Sequence, residues 1–349
     1  MPTPVDQMAY GVAQAARVGW YFGQYLLAAR LTGPTKPRPR VTLPMPDRAE
    51  FLSGLRALMA RDWSNIRAGY YKLPHDLFEH PGRMIGNARA FLAEVPRVDA
   101  RRRKHGHAEV FHEPPQGTGK LPRYYLQNFH FQTDGYLSDR SARLYDHQVE
   151  VLFGGGADAM RRQALVPVHH FLVGRDAGRT RLLDVACGTG QFLTFLRDSH
   201  PRLSVAGVDL SLPYLAEARR RLSRWPGTGL AQASIEALPT ADGSIDLVTC
   251  IFLFHELPRK IRARAAREIA RVLRPGGQLI FLDSLQFGDR PSCDGLLEYF
   301  PQAFHEPYYA DYTRQNLIEL FEDAGLTHGA TDLVFLSKLL VFEKGGSAV

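Results

Sequence analysis

The chain has 349 residues, 45% hydrophobic and 23% charged, a soluble globular composition long enough for a catalytic domain and one more sizeable unit. The three cysteines, Cys187, Cys250 and Cys293, lack metal spacing and build no disulfide framework, so a cytoplasmic setting is expected. The net charge of +7 is uneven: residues 1–150 hold 21 Lys+Arg against 14 Asp+Glu, and residues 151–349 hold 22 against 22. Any acidic or membranous surface would therefore meet the front half.

Met8–Leu31 reads as a helix. Tyr10, Gln14, Arg17, Tyr21 and Gln24 make a narrow polar stripe on an otherwise apolar cylinder. Packing on the protein's own surface is one reading, and peripheral membrane contact through residues 8–31 is the other. The uncharged run Val18–Ala29 is shorter than the roughly 20 residues that a spanning helix needs. A signal peptide is not expected, since the first seven residues carry Asp6 and no Lys or Arg. Pro34, Pro37, Pro39, Pro44 and Pro46 mark an extended connector, followed by helical periodicity over Arg48–Arg67 and a weaker helix over Arg83–Val95.

The basic run from Arg101 to His107 reads as a solvated loop or helix end. Gly117-Thr118-Gly119-Lys120 fails as a phosphate loop, because Pro114 and Leu121 break the pattern and no strand precedes it. Tyr124–Tyr145 is dense in aromatics around His130, Gln132 and Asp134, which suits either a seam between two units or a lid. Helices are expected over Ser141–Phe153 and Ala157–Leu172. The adjacent His169 and His170 have no partner with suitable spacing, so no metal is expected.

Leu182, Leu183 and Val185 form a short buried-strand run that turns through Cys187-Gly188-Thr189-Gly190 into a helical pattern. A second strand, Leu203–Val208, ends in Asp209, nineteen residues past Gly190. A carboxylate there can accept both hydroxyls of a ribose. Strand, glycine turn, second strand and acid together read as a nucleoside-binding half-fold. The dinucleotide fingerprint is excluded, because its third glycine would fall at Leu193.

The order acid, x, small, x, Gly, x, Gly at Asp184–Gly190 resembles motif I of the class I S-adenosylmethionine (SAM)-dependent methyltransferases of the type 11 group. Its Asp-x-Ala-x-Gly-Thr-Gly form resembles the ubiquinone/menaquinone C-methyltransferases, in which Ala186 stands where most members of the class carry glycine. Ser234-Ile235-Glu236-Ala237-Leu238-Pro239 resembles the family's adenine-flanking segment, with Ser234 replacing an Asp. Phe252–Pro258 is similar to the segment after the fourth strand, and Arg274-Pro275-Gly276-Gly277 to the turn before the fifth.

The resemblance covers residues 165–345 and implies an α/β Rossmann-like sheet of seven mostly parallel strands, order 3-2-1-4-5-7-6. A mainly helical N-terminal cap over 1–150 would precede a catalytic domain over 151–349. The implied cofactor is SAM, held by Asp184, Ala186, Cys187, Gly188, Gly190, Asp209, Leu210, Ser234, Ile235 and Ile251. Asp184 would help to hold its amino-acid end.

A sulfonium methyl is already a good electrophile, so the protein needs chiefly to align the acceptor and exclude water. His255 is expected as a base or acceptor-orienting group, with an ordinary pKa of about 6.5 shifted by burial or by Glu256. His305 and Tyr308 are expected to shape the pocket. The expected acceptor is a small hydrophobic or aromatic molecule methylated at oxygen or carbon. A nucleic-acid methyltransferase is the second reading, weakened by the lack of an Asn/Asp-Pro-Pro-Tyr/Phe motif. A SAM-binding protein without methyl transfer is the third.

Overall fold

A computed structural model describes residues 2–32, 39–78, 81–103 and 121–346. Pro34 and Pro37 of the connector, Lys104, His105 and His107 of the basic run, and the Gly117–Lys120 turn lie outside the described residues.

The front half contributes α1 (Pro4–Leu31), α2 (Arg48–Ala68), α3 (Pro81–Arg103) and α4 (Asp139–Leu152). Helix α1 starts at a Thr3–Asp6 capping box with Pro4 at its first position, and α2 starts on the Asp47 side chain. Helix α3 runs on through Pro96 past the expected end at Val95, so Arg101–Arg103 form its last turn. Two short helices follow, α5 (Ala157–Gln163) and α6 (Leu165–Leu172). The expected single helix divides because Pro167 has no N–H to donate to the Gln163 carbonyl.

The sheet half then alternates: β1 (Arg181–Val185), α7 (Gln191–Ser199), β2 (Ser204–Asp209), α8 (Leu212–Arg221), β3 (Gly229–Gln232), β4 (Ile245–Ile251), α9 (Arg259–Val272) and β5 (Leu273–Ser284). It closes with α10 (Asp294–Ala303), α11 (Tyr309–Tyr312), α12 (Leu317–Glu322), β6 (Leu326–Val334) and β7 (Ser337–Lys344). The strand order is β3-β2-β1-β4-β5-β7-β6, as expected, with β7 antiparallel to both of its neighbours. Strands β1 and β4 lie side by side in parallel where the chain order reverses. The crevice at their carboxyl ends is where open α/β sheets bind ligands.

One face of the sheet packs on α9 and α12 through Ala265, Ile269 and Phe321. The other shares a continuous core with the front helices, in which Tyr10, Leu55, Leu58 and Trp63 join Leu182, Leu193 and Ile280. A buried polar network locks that junction. Fully buried Asp62 of α2 accepts two hydrogen bonds from Arg162 (3.0 and 2.6 Å), one from Tyr10 (2.6 Å) and one from Tyr71 (2.7 Å).

The connector residues after Pro39 lie against α10, where the Gly295 N–H donates to the Pro44 carbonyl at 2.7 Å. A Cβ at Gly295 would sit 2.6 Å from the Leu43 and Pro44 carbonyl oxygens, so only glycine permits this approach. No helix among the described residues is long and apolar enough to cross a membrane.

Candidate active site

Two spaces meet at the crevice. The first is a cleft around the β1–α7 turn. Its walls include Asp184, Ala186, Cys187, Gly188, Asp209, Leu210, Ile235 and Ile251, eight of the ten expected cofactor residues. Asp209 ends β2 and accepts from the N–H groups of Gly188 (2.9 Å) and Ser211 (2.8 Å). Asp184 is buried and accepts from the Thr249 hydroxyl at 2.6 Å. Burial pushes the Asp184 carboxyl up to about 7, with Asp209 adding to the rise. Burial likewise pushes Asp209 up to about 6. Two carboxyls held this way favour a cationic or hydroxyl-rich ligand.

The remaining two expected residues do not face the cleft. Gly190 has φ +75°, and a Cβ there would meet the Ala218 side chain at 3.1 Å, so it serves the packing of the turn on α8. The Ser234 hydroxyl accepts from the Glu236 N–H at 3.2 Å. Gly188 has open space where a Cβ would point, a cradle that leaves room for a ligand. Ala186 has φ 56°, a left-handed conformation that explains why a glycine suits this position.

Aromatic side chains from the segment before α4 roof the cleft: Tyr125, Phe129 and Tyr136, with Tyr145 of α4 and Tyr214 of α8. The Tyr124 hydroxyl donates to Glu236 (2.9 Å), and Tyr136 to Glu256 (2.5 Å). These bonds fasten the roof to the sheet side.

The second space is a cavity of about 340 Å³ walled mainly by apolar side chains, among them Phe22, Phe51, Phe153, Leu297, Phe300 and Phe304. It adjoins a further apolar cavity of about 270 Å³, with Tyr25, His130, Tyr145 and Val149 on the walls of both. Three residues belong to both the cleft and the 340 Å³ cavity: Tyr145, Phe252 and Glu256. They are the partition between the two.

Backbone strain concentrates here. Of the five non-glycine residues with positive φ among the described residues, four (His130, Phe131, Ala186 and Phe252) line the cleft or the cavities. Such conformations persist where the surroundings hold them, and they cluster at functional sites.

His255 follows β4 and reaches the 340 Å³ cavity. Its Nδ1 lies 2.6 Å from Oδ1 of Asp283, a fully buried acid near the end of β5. The other Asp283 oxygen accepts from the N–H groups of Phe254 (2.7 Å) and Leu253 (3.2 Å). Burial alone would depress the imidazole, but Asp283, followed by Glu256 and Glu306, outweighs it and raises His255 to about 9. The expected value near 6.5 is thereby corrected: at neutral pH the ring is held as an imidazolium. Nε2 of His255 stands 3.8 Å from Glu256. Burial pushes Glu256 up to about 7, against the pull of His255 and the Tyr136 hydrogen bond.

The structure does not bring His305 or Tyr308 to the wall of the cleft or of either apolar cavity. The Nε2 atom of His305 lies 3.2 Å from the Gln127 side-chain oxygen, and its ring packs on Phe131. Tyr308 packs behind Phe129. His130, by contrast, lines both apolar cavities and sets Nδ1 3.1 Å from the buried carboxyl of Glu306. Burial lowers His130 to about 3, so its ring is neutral at pH 7, and burial with the nearby Glu256 raises Glu306 well above the usual carboxylate value.

The sequence singles out neither Thr249 nor Asp283, and marks His130 only as part of the aromatic segment Tyr124–Tyr145. Asp283 had one available signal: it is an acid near the end of a strand paired in parallel with the strand that presents His255. Among the described residues, no group of three or more His, Cys, Asp or Glu side chains is placed to hold a metal ion.

Residues 182–277 match the family described as "Methyltransferase domain". A ubiquinone/menaquinone biosynthesis C-methyltransferase of Syntrophotalea carbinolica is 38% identical over 154 residues, covering 43% of this chain and 60% of the relative. A demethylmenaquinone methyltransferase of Lactiplantibacillus plantarum is 30% identical over 168 residues, covering 47% of this chain and 67% of the relative. A malonyl-[acyl-carrier protein] O-methyltransferase of Methylococcus capsulatus is 38% identical over 101 residues, covering 29% of this chain and 36% of the relative. Of the solved structures, a SAM-dependent methyltransferase from Aquifex aeolicus is 16% identical and covers 59% of this chain and 98% of its own, with a TM-score of 0.42.

The chain belongs to the class I SAM-dependent methyltransferases, whose methyl donor is SAM. It spans 60%, 46% and 67% of the length of three of the curated relatives it matches.

Proposed function

We propose that this protein transfers the methyl group of SAM to a small apolar or aromatic acceptor, at oxygen or carbon. The observation that carries the reading is the partition of Tyr145, Phe252 and Glu256, shared by a carboxylate-walled cleft and an apolar cavity. In this reading residues 1–150 act as a cap over a catalytic unit of residues 151–349. The residues of the cleft fit the donor, since Asp184 and Asp209 complement a molecule that carries positive charge and a ribose. When bound, SAM supplies an activated methyl group on sulfur.

The protein's own work is placement, dryness and proton handling. Asp209 holds ribose hydroxyls, and Asp184 favours the cationic end. Phe252 and Tyr145 pack against the reacting partners and exclude water. Glu256, half ionised near pH 7, receives a proton from a phenol, enol or activated carbon acid in the cavity. His255, kept charged by Asp283, stabilises the anionic form of Glu256 and of the acceptor. It acts as an orienting cation rather than as the base. The quinone-directed names of several relatives suit an aromatic acceptor in a cavity walled by Phe300 and Phe304.

Titration calorimetry with SAM tests the donor half. Wild type should bind, and Asp209→Ala should lose about ten- to hundredfold in affinity, the worth of charge-assisted hydrogen bonds. No binding by wild type, or equal binding by the variant, would overturn the reading.

A further inference from the structure

Helix α1 is inverted relative to an ordinary surface helix. Its polar stripe is its inner face: Tyr10, Gln14, Tyr21 and Gln24 are buried. Arg17 turns inward with them, 2.8 Å from both Glu150 and Asp158. The Gln24 side-chain oxygen meets Nε2 of His147 at 2.7 Å, and Tyr10 meets Asp62 at 2.6 Å. Val18 and Phe22 are half-buried, but much of the apolar remainder is left outside. Val5, Met8 and Val12 are 68%, 66% and 64% exposed, and Leu26, Leu27 and Leu31 are 43%, 43% and 49% exposed. From Gln7 to Ala29 no exposed position of the helix is charged. At about 1.5 Å per residue the 28-residue helix offers a face roughly 42 Å long.

The flanks are basic. Helix α3 packs alongside α1, and the two together contain eight arginines and three acids. Arg30, Arg83, Arg89 and Arg97 are exposed. We propose that the outer face of α1 docks on an anionic lipid surface, with α1 lying in the interface and the arginines of α3 against the headgroups. An apolar face bordered by cations is what such an interface accommodates. A second copy of this chain would set like-charged arginine flanks against each other, whereas an anionic surface neutralises them.

The face also borders a cavity. Tyr25, Ala28, Ala29 and Thr32, at the carboxyl end of α1, line the 270 Å³ apolar cavity that adjoins the candidate acceptor space. Docking would bring that wall to the lipid, a route for an apolar acceptor. This consequence rests on the proposed methyl transfer, but the docking itself does not.

Flotation of the full chain with vesicles tests the docking without an acceptor or SAM. The protein should float with vesicles of phosphatidylcholine containing phosphatidylglycerol, and less with phosphatidylcholine alone or at high salt. Val12→Glu combined with Leu27→Glu changes two exposed side chains and should weaken binding about tenfold or more. Circular dichroism and an unchanged melting temperature check that the variant is folded. Equal flotation of variant and wild type, or none by wild type, would overturn the proposal. A wild-type dimer in analytical ultracentrifugation that the two substitutions convert to monomer would assign the face to a second copy instead.

Discussion

The cleft and the apolar cavity are separated by three side chains, yet they are built in opposite ways. The cleft holds the buried carboxylates and is local: most of its walls come from the β1–α7 turn and the ends of β2 and β4, with an aromatic roof from the front half. The cavity is apolar and assembled from distant parts of the chain, with Phe22 of α1, Phe51 of α2, Phe153 after α4, Phe300 of α10 and Leu336 between β6 and β7. A sheet edge fixes what the donor site must be, whereas the acceptor space depends on how added helices close over it. Chemistry can therefore stay constant while the acceptor changes, and the partition is where the two constraints meet.

The largest effect is expected at Glu256. If the partition carries the proton, Glu256→Gln should lower turnover by about 10²–10⁴ while leaving SAM affinity near wild type. The pH profile sharpens this. A base that must be ionised gives a rate rising through about 7, and a cation that must stay protonated gives a fall through about 9. Were His255 the base instead, the only rising limb would lie near 9. Steady-state rates from pH 5 to 10 separate the two, with limbs assigned to the coupled pair.

The Asp209→Ala loss comes next in size and is confined to the donor side. The smallest effect belongs to Ala186. A left-handed conformation costs an L-residue about 1–2 kcal/mol, and glycine's extra chain entropy returns about 0.5–1 kcal/mol of that. Ala186→Gly should therefore stabilise the protein by about 0.5–1 kcal/mol in denaturant unfolding, with little change in SAM affinity. A destabilised variant would show that the strain is not borne at this turn.

Much of the fold was legible, as was the set of residues that line the cleft, because the signals are short-range. Asp184, Gly188 and Asp209 fall within 26 residues, and their spacing alone implies strand, turn, strand and acid. Less is legible where partners are far apart in sequence. His255 looked like an ordinary base because Asp283, which sets its charge, belongs to the next parallel strand. His305 and Tyr308 stand out by type and loop position, but their rings pack on Phe131 and Phe129 respectively. The polar stripe of α1 was visible, but its direction was not. It points inward because Glu150, Asp158, Asp62 and His147, on three other helices, await it there. Amphipathicity gives a helix two faces, and only the partners decide which one is buried.

The central claim is that donor and acceptor meet at Tyr145, Phe252 and Glu256. A crystal structure of the full chain with S-adenosylhomocysteine tests it most directly. The ribose should lie on Asp209 and the thioether sulfur should face the partition, in line with the apolar cavity. A sulfur directed away from Glu256, or a nucleoside bound outside the β1–α7 cleft, would contradict it.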